Sequence, residues 1–455
     1  MAEPKIKSVH ITNYYHKNSG GISTSYNNLM AAAERHGRHV RLIVPGEAEA
    51  VEEVNAFARI YYVPAKYSPV FDKRYRIMMP WQYMLKDSTI RKILLGEMPD
   101  LIEVTDKYTL SLIGPMVRKK GFQQLGRPAL VHFSCERMDD NIGSFLTAGK
   151  FGSWAARRII GNYTMPSFDY HIANSTYTAQ EFTDSLSRQV NPHASLKFLN
   201  WCWRFFAAPR VDYRERIFVA PRGVDAKLFT PDRRSETVRS EMRERAGIAD
   251  AAVVLLYAGR ISPEKNVGLL VELMKELGKD PSHDFRLLVA GAGPQSQWLT
   301  DQGERSVPGR IVQLGHLEKQ LLADYYANAD IFVHPNPKEP FGIAPLEAMA
   351  SGVPTVAPNA GGILSYATND NAWLVETTGA AFAGAILDVM NDPAKRSAKI
   401  AAAITTAQEN TRERSTDNLF ATYDKIYDDF QQRNDLFTDI EAAKTFDYSK
   451  EILRG

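Results

Sequence analysis

Asn336-Pro-Lys-Glu-Pro-Phe-Gly-Ile-Ala-Pro-Leu-Glu-Ala-Met-Ala-Ser-Gly-Val-Pro-Thr-Val-Ala357 is the stretch whose reading decides the fold. It follows the apolar run 331–333, read as a strand, passes through a Pro-rich loop, and ends in a second short strand over 355–357. Between them the pattern predicts a short helix. Pro345 marks its start, because a proline's missing N–H has no intrahelical partner in a first turn, and Gly352 marks its end. Helix N-termini present free N–H groups and a partial positive charge, so this corner suits an anion, and Gly342 lets the backbone come close. Glu339 and Glu347 would repel a phosphate but accept well from sugar hydroxyls. A phosphorylated sugar satisfies both halves. Taken alone, the two acids read first as a solvated helix start favoured by the dipole.

The rest of the chain sets the frame. Its 455 residues are too many for one ordinary core and imply two domains. Hydrophobic content of 44% and charged content of 24% are those of a globular protein. A formal net charge of +2 gives no global field for nucleic acid, so no nucleic-acid partner is expected. The two cysteines, Cys135 and Cys202, have neither metal-ligand spacing nor a disulfide framework, which points to a reduced, cytoplasmic setting. The polar start at 1–8 lacks the apolar core of a signal peptide, and no apolar run reaches the roughly 18 residues of a membrane span. Peripheral attachment at the inner membrane face stays open.

From the N-terminus, strand 7–12, a Gly20-Gly21 loop, a helix over 22–36 and strand 39–44 open a doubly wound α/β domain. Strands are also expected at 100–104, 128–134 and 171–173. The stretch 63–96 mixes aromatics with Arg and Lys and reads as a loop and amphipathic helix, or as an acceptor-contacting segment. Leu196-Lys-Phe-Leu-Asn-Trp-Cys-Trp-Arg-Phe-Phe-Ala-Ala-Pro-Arg210 suits a domain or dimer contact, a satellite core, or an interfacial membrane element. A second domain begins near Ala251, and its strand 253–258 is continuously apolar, as in a parallel sheet covered on both faces. Arg260 and Lys265 follow, on either side of a Pro-containing turn at the mouth of that sheet, where they can meet a phosphate. Such a pair alone is more often a solvated turn. The next strand ends in Gly291-Ala-Gly293, and 418–433 carries a helical apolar pattern.

Together these motifs resemble the retaining glycosyltransferases of family four, whose signature is two Glu seven residues apart, then Ala-x-Gly-x-Pro and a Gly-Gly turn. Here these are Glu339 and Glu347, Ala350-Ser-Gly-Val-Pro354, and Gly361-Gly362. Gly259-Arg260 through Lys265 matches the family's Gly-Arg-x-x-x-x-Lys frame, and Pro221-Arg-Gly-Val-Asp225 its interdomain linker, with Arg222 in place of Asn. Cys135-Glu-Arg-Met-Asp139 is similar to a segment of some mannosyltransferases, with Cys135 in place of His.

The resemblance implies the GT-B fold: two Rossmann-like doubly wound domains facing each other across a cleft. The acceptor domain would span 1–228, with its aromatic and basic insert near 196–210. The donor domain would span 248–415, and terminal helices over 416–455 would return to the first domain. It further implies that Arg260 and Lys265 neutralise a departing diphosphate, with Gly20 and Gly21 facing it, and that Gly293 forms the second βα corner. Glu339, aided by main-chain N–H groups of Phe341, Gly342 and Ile343, would orient the sugar. Glu347 would hold the ribose, and the main chain of Leu317 would meet the base. His132, Cys135, Glu136 and Asp139 are the acceptor-side candidates. Expected chemistry is transfer of a hexose from GDP-mannose or a UDP-sugar to a lipid, saccharide or small-molecule hydroxyl, with front-face attack, no metal and no cofactor. The alternatives are a nucleotide-sugar-binding module without turnover, or another GT-B enzyme such as a disaccharide synthase or epimerase.

Overall fold

In the computed structural model, residues 6–15, 21–68, 76–140, 149–187 and 195–451 are described. The chain divides into two compact units: unit 1 comprises Met1–Pro221 with Thr416–Gly455, and unit 2 comprises Arg222–Ser415. The first boundary falls in the Pro-Arg-Gly-Val-Asp segment, so the charged helix Glu236–Ala246 belongs to unit 2.

Among the described residues, unit 1 has ten strands: β1 (Lys7–Ile11), β2 (His39–Gly46), β3 (Ala50–Glu53), β4 (Ala58–Pro64), β5 (Lys66–Tyr67), β6 (Arg76–Ile77), β7 (Leu101–Val104), β8 (Ala129–Ser134), β9 (Tyr170–Ala173) and β10 (Ile217–Val219). Eight of them form one sheet in the order β10-β9-β8-β7-β1-β2-β4-β3. Pairing is parallel throughout except at the edge, where β3 runs antiparallel to β4. The central strands are buried on both faces because helices cover both. The helix Gly21–His36 places Tyr26, Leu29, Met30 and Ala33 on one face, and the helix Arg412–Gln432 adds Leu419, Phe420, Tyr423, Ile426 and Phe430 to that same core. Opposite it, Ile90, Leu94, Ile113 and Val117 pack on Val9, Ile11, Ile102 and Val104.

One buried polar knot ties the helix Arg412–Gln432 to the sheet. The Glu103 carboxylate accepts from Tyr26 at 2.9 Å and Tyr423 at 2.5 Å, and sits 2.9 Å from Nδ1 of His10, whose Nε2 is 2.9 Å from Ser8 Oγ. Buried polar groups are tolerable when satisfied in this way.

Unit 2 contains β11 (Val253–Ala258), β12 (Phe285–Ala290), β13 (Ile311–Gly315), β14 (Ile331–Val333), β15 (Thr355–Pro358) and β16 (Trp373–Val375). They pair in parallel in the order β13-β12-β11-β14-β15-β16. Renumbered within the unit this is 3-2-1-4-5-6, the dinucleotide-fold order, and its connections diverge between β11 and β14. Ligands of such sheets bind in the crevice beyond the carboxyl ends of the strands at that divergence.

Several local expectations are revised. The helix after β14 runs Ile343–Ala350, so Pro345 is its third residue rather than its first, still inside the turn whose N–H groups need no partner. The stretch 63–96 holds the paired strands β5 and β6 and the helices Trp81–Met84 and Thr89–Glu97, while residues 69–75 lie outside the described residues. The segment 196–210 is a helix, Leu196–Phe205, begun by Ser195, whose Oγ accepts from Phe198 N. Its Leu199, Cys202 and Trp203 join a satellite core with Ile160, Phe182 and Tyr448. Among the described residues, no helix is long and apolar enough to cross a membrane.

Candidate functional site

At the carboxyl end of β11 the chain turns through Gly259 and Arg260 into a single helical turn, Pro263–Lys265. Tyr257 OH donates to the Arg260 carbonyl at 2.9 Å and fixes the exit of the strand. Asn266 takes a left-handed φ of 53° and donates from Nδ2 to the Pro335 carbonyl at 2.9 Å, which ties this turn to the loop after β14. The Gly-Ala-Gly corner after β12 serves packing first. A Cβ on Gly291 would lie 1.9 Å from the Gly259 carbonyl oxygen, and one on Gly293 would lie 2.1 Å from that of Ile261.

The loop after β14 carries Glu339 into direct contact with the Lys265 turn. Lys265 Nζ donates to Glu339 Oε2 at 2.8 Å, and Asn336 Nδ2 donates to the same oxygen at 3.0 Å. The buried His334 ring stands 3.7 Å away. Burial opposes the charge on Glu339, but Lys265, His334 and Asn336 together outweigh it and bring the carboxyl down to about 2. Burial likewise lowers His334 to about 4, so at neutral pH its imidazole is uncharged and Lys265 supplies the countercharge. An ammonium has three donor hydrogens, so Lys265 can hold Glu339 and still reach phosphate oxygens.

Gly342 begins the helix with a φ of 86°, and the Tyr366 hydroxyl donates to its carbonyl. Phe341 is buried with its ring 5.2 Å from that of Tyr366, while Ile343 stands half-buried in the first turn. Gly361-Gly362 supports the loop from below: Gly362 N donates to the Glu339 carbonyl at 2.7 Å, and a Cβ there would lie 2.0 Å from the Pro340 carbonyl oxygen. Glu347 accepts from Tyr326 OH at 3.2 Å. Burial raises its carboxyl to about 7, with Tyr326 and Lys319 opposing only in part. Two acids eight positions apart thus titrate far apart, one held ionised by an ammonium, the other poised near neutrality. Leu317 lies just past β13, half-buried against the unit 2 core. Every donor-side residue expected in this unit therefore surrounds the carboxyl ends of β11 to β14.

In unit 1 the expected residues separate. Gly20 lies outside the described residues, and Gly21 opens the first helix. His132 is not at the strand end. It is fully buried, with its ring 5.4 Å from Phe168, 5.7 Å from His171 and 5.9 Å from Phe182. Neither ring nitrogen has a hydrogen-bond partner among the described residues, and burial holds it well below the usual histidine range. It packs in the core, closed off from solvent. Asp139 is buried as well, paired with Arg137 at 2.9 Å and Arg157 at 3.3 Å; burial would raise its carboxyl, but those guanidiniums bring it down. Its charge is engaged in holding the loop. Cys135 and Glu136 remain half-exposed at the end of β8.

Sequence reasoning missed the groups that shape this edge. Glu181, fully buried, accepts from Met138 N at 2.5 Å, Asp139 N at 3.1 Å and Lys107 Nζ at 2.8 Å, and Lys107 also donates to the Glu136 carbonyl at 2.5 Å. Beyond β7, Asp106 accepts from Asn13 Nδ2 at 2.9 Å, Tyr108 N at 2.6 Å and Leu110 N at 3.1 Å, and burial raises its carboxyl despite them. Asp106 stands two residues past the carboxyl end of β7, and that placement was the available signal. Among the described residues, no cluster of His, Cys, Asp or Glu is placed to hold a metal ion.

Residues 238–406 match the family model "Glycosyl transferases group 1", and residues 20–212 match "Glycosyl transferase 4-like domain". A GDP-mannose-dependent alpha-(1-6)-phosphatidylinositol dimannoside mannosyltransferase of Mycobacterium tuberculosis is 28% identical over 85% of this chain and 88% of its own length. A GDP-mannose-dependent alpha-mannosyltransferase of Corynebacterium glutamicum is 25% identical over 76% of this chain and 70% of its own. Among solved structures, a sucrose-phosphate synthase of Thermosynechococcus elongatus aligns with a TM-score of 0.65 at 18% identity, over 93% of this chain and 100% of that one. Anabaena HepE in complex with UDP and glucose aligns with a TM-score of 0.63 at 17% identity, over 92% of this chain and 100% of that one. Those two likenesses speak to the fold, while the sequence models cover the cores of both units. The chain belongs to the family-four glycosyltransferases of the GT-B fold.

Proposed function

We propose that this protein transfers a hexose, with retention of anomeric configuration and without a metal, from a nucleotide-diphosphate sugar to a hydroxyl of a lipid or saccharide acceptor. The observation that carries the reading is the meeting of Lys265 with Glu339 at the divergence of the unit 2 sheet, with Arg260 in the turn that precedes Lys265 and Glu347 on the helix that follows Glu339. As the sugar–phosphate bond breaks, the anomeric carbon becomes cationic and the departing diphosphate gains negative charge. Arg260 and Lys265 stabilise that charge selectively in the transition state. Arg can fork across two phosphate oxygens, while Lys acts as a point charge. Glu339, ionised by its neighbours, accepts from sugar hydroxyls, and Glu347 accepts from the ribose diol.

Retention follows from attack on the face the diphosphate leaves, the departing phosphate oxygen taking the acceptor proton, so no side-chain nucleophile is needed. GDP-mannose is the favoured donor, because two relatives that align across most of their length are named as GDP-mannose-dependent. The former acts on a phosphatidylinositol dimannoside, which supports a lipid-linked acceptor. Acceptor recognition is assigned to unit 1, with Cys135 and Glu136 nearest the strand ends.

A panel of GDP- and UDP-sugars tested for thermal stabilisation and turnover checks this. Stabilisation and turnover with GDP-mannose are expected. Stabilisation without turnover of any donor would favour a binding module instead.

A further inference from the structure

The helix Leu196–Phe205 contains no acidic residue and has two faces of opposite fate. Leu199, Cys202 and Trp203 are sealed into the satellite core, and the Trp203 indole donates to the Gly161 carbonyl at 2.9 Å. Phe198, Trp201 and Phe205, spaced i, i+3 and i+7, form a second stripe and are 49%, 58% and 53% exposed. Their rings stack in a row, 5.8 Å then 5.5 Å between centroids, with interplanar angles of 20° and 19°. Held from below and stacked on one another, these rings lose little freedom on being covered.

Positive charge lines the row. Lys119 Nζ lies 3.9 Å from the Phe205 ring centroid. Lys120 and Lys197 are exposed, and Lys444, paired with Glu441 at 2.6 Å, is close enough to act on Lys119. Another row of the same chemistry lies on the helix Gly149–Ile159, where Phe151 stacks on Trp154 at 5.4 Å and Arg158 stands 5.4 Å from the Trp154 ring.

Aromatic rings beside lysines distinguish among occupants. Lysine is depleted at protein–protein interfaces, and a two-fold contact with a second copy would set Lys119 and Lys197 against themselves. An anionic bilayer recruits both components, rings into the headgroup–acyl boundary and ammoniums against the headgroups.

We propose that Phe198, Trp201 and Phe205 seat unit 1 at the interface of an anionic lipid bilayer, with Lys119 and Lys197 against its headgroups. This deepens the proposed lipid-linked acceptor and rests on it, since an enzyme docked here meets its acceptor in two dimensions.

The test is sedimentation of the full chain with vesicles of phosphatidylcholine alone and of equal parts phosphatidylcholine and phosphatidylglycerol. Wild type is expected to follow the anionic vesicles. The variant Phe198→Ser/Trp201→Ser/Phe205→Ser is expected to bind them at least about tenfold more weakly. The variant Lys119→Glu/Lys197→Glu, which keeps the ring row and so stands independently of any folding defect in the first, is expected to lose roughly fivefold or more per lysine. Donor hydrolysis in solution should be unchanged in both, which keeps this result separate from the assignment of the donor site. Failure of wild type to sediment, equal binding to neutral vesicles, or a ring-row variant altered in oligomeric state but not in vesicle binding would overturn the proposal.

Discussion

Glu339 and Lys265 form a half-buried pair whose members cannot be removed singly without consequence. Lys265→Met leaves a carboxylate beside a neutral His334, and breaking a half-buried pair of this kind costs about 1–2 kcal/mol, between the exposed and the fully buried cases. The double variant Lys265→Met/Glu339→Gln is expected to regain most of that stability in denaturant melts and none of the transfer activity. Additive losses in the double variant would mean that the two do not act as a unit. At low pH the sign is set by Glu339: its folded carboxyl is depressed to about 2, so its contribution is present above the ordinary glutamate range and is lost as pH falls toward 2.

Glu347 runs the other way. Burial raises it to about 7, so ionising it works against the folded state as pH rises from the ordinary glutamate range to about 7, and the ribose hydroxyls need the ionised form. The KM for donor is therefore expected to fall as pH rises from about 6 to about 8, with kcat changing less. In Glu347→Gln that dependence should flatten. A wild-type KM that is level across this range would contradict the role given to Glu347.

At the scale of elements, the donor site depends on backbones that approach more closely than side chains permit. The Gly361-Gly362 turn lies against the loop that carries Glu339, and a Cβ on Gly362 would fall on the Pro340 carbonyl. Gly362→Ala is expected to cost at least about 2 kcal/mol and to displace Glu339, lowering donor affinity along with the melting temperature. An unchanged melting temperature would show that the loop can yield.

These elements were legible because the information is local. Ile331 through Ala357 holds strand, loop, helix and strand within one short stretch, and a continuously apolar β11 has one reading in a parallel sheet. The β3–β4 edge was not legible: Ala50–Glu53 is exposed, so no burial pattern marks it. His132 could not be placed either, since a one-residue shift along β8 exchanges the two faces of the sheet, and the structure puts its ring among Phe168, His171 and Phe182. The loop after β8 is held by Glu181, a residue 43 positions from Met138, through contacts that no local pattern reports.

For the whole molecule, the C-terminal segment is structural for unit 1 although it follows unit 2 in sequence. Leu419, Phe420, Ile426 and Phe430 complete the core over β1 and β2, and Tyr423 closes the knot on Glu103. Tyr423→Phe removes one donor from a buried carboxylate and is expected to destabilise by about 1–3 kcal/mol, read as a shift in urea midpoint without loss of donor binding. The nucleotide-binding order of the unit 2 sheet, the pair formed by Lys265 and Glu339, and the matches to both glycosyltransferase models converge on one activity. Arg260 tests it most directly, because it stands just past the strand end in a turn whose backbone Tyr257 OH holds through the Arg260 carbonyl. The kcat/KM of Arg260→Ala with GDP-mannose is predicted to fall by about a hundredfold or more, as expected for the loss of one transition-state donor, while its melting temperature stays near that of wild type. Near wild-type transfer by a folded Arg260→Ala protein would contradict the account.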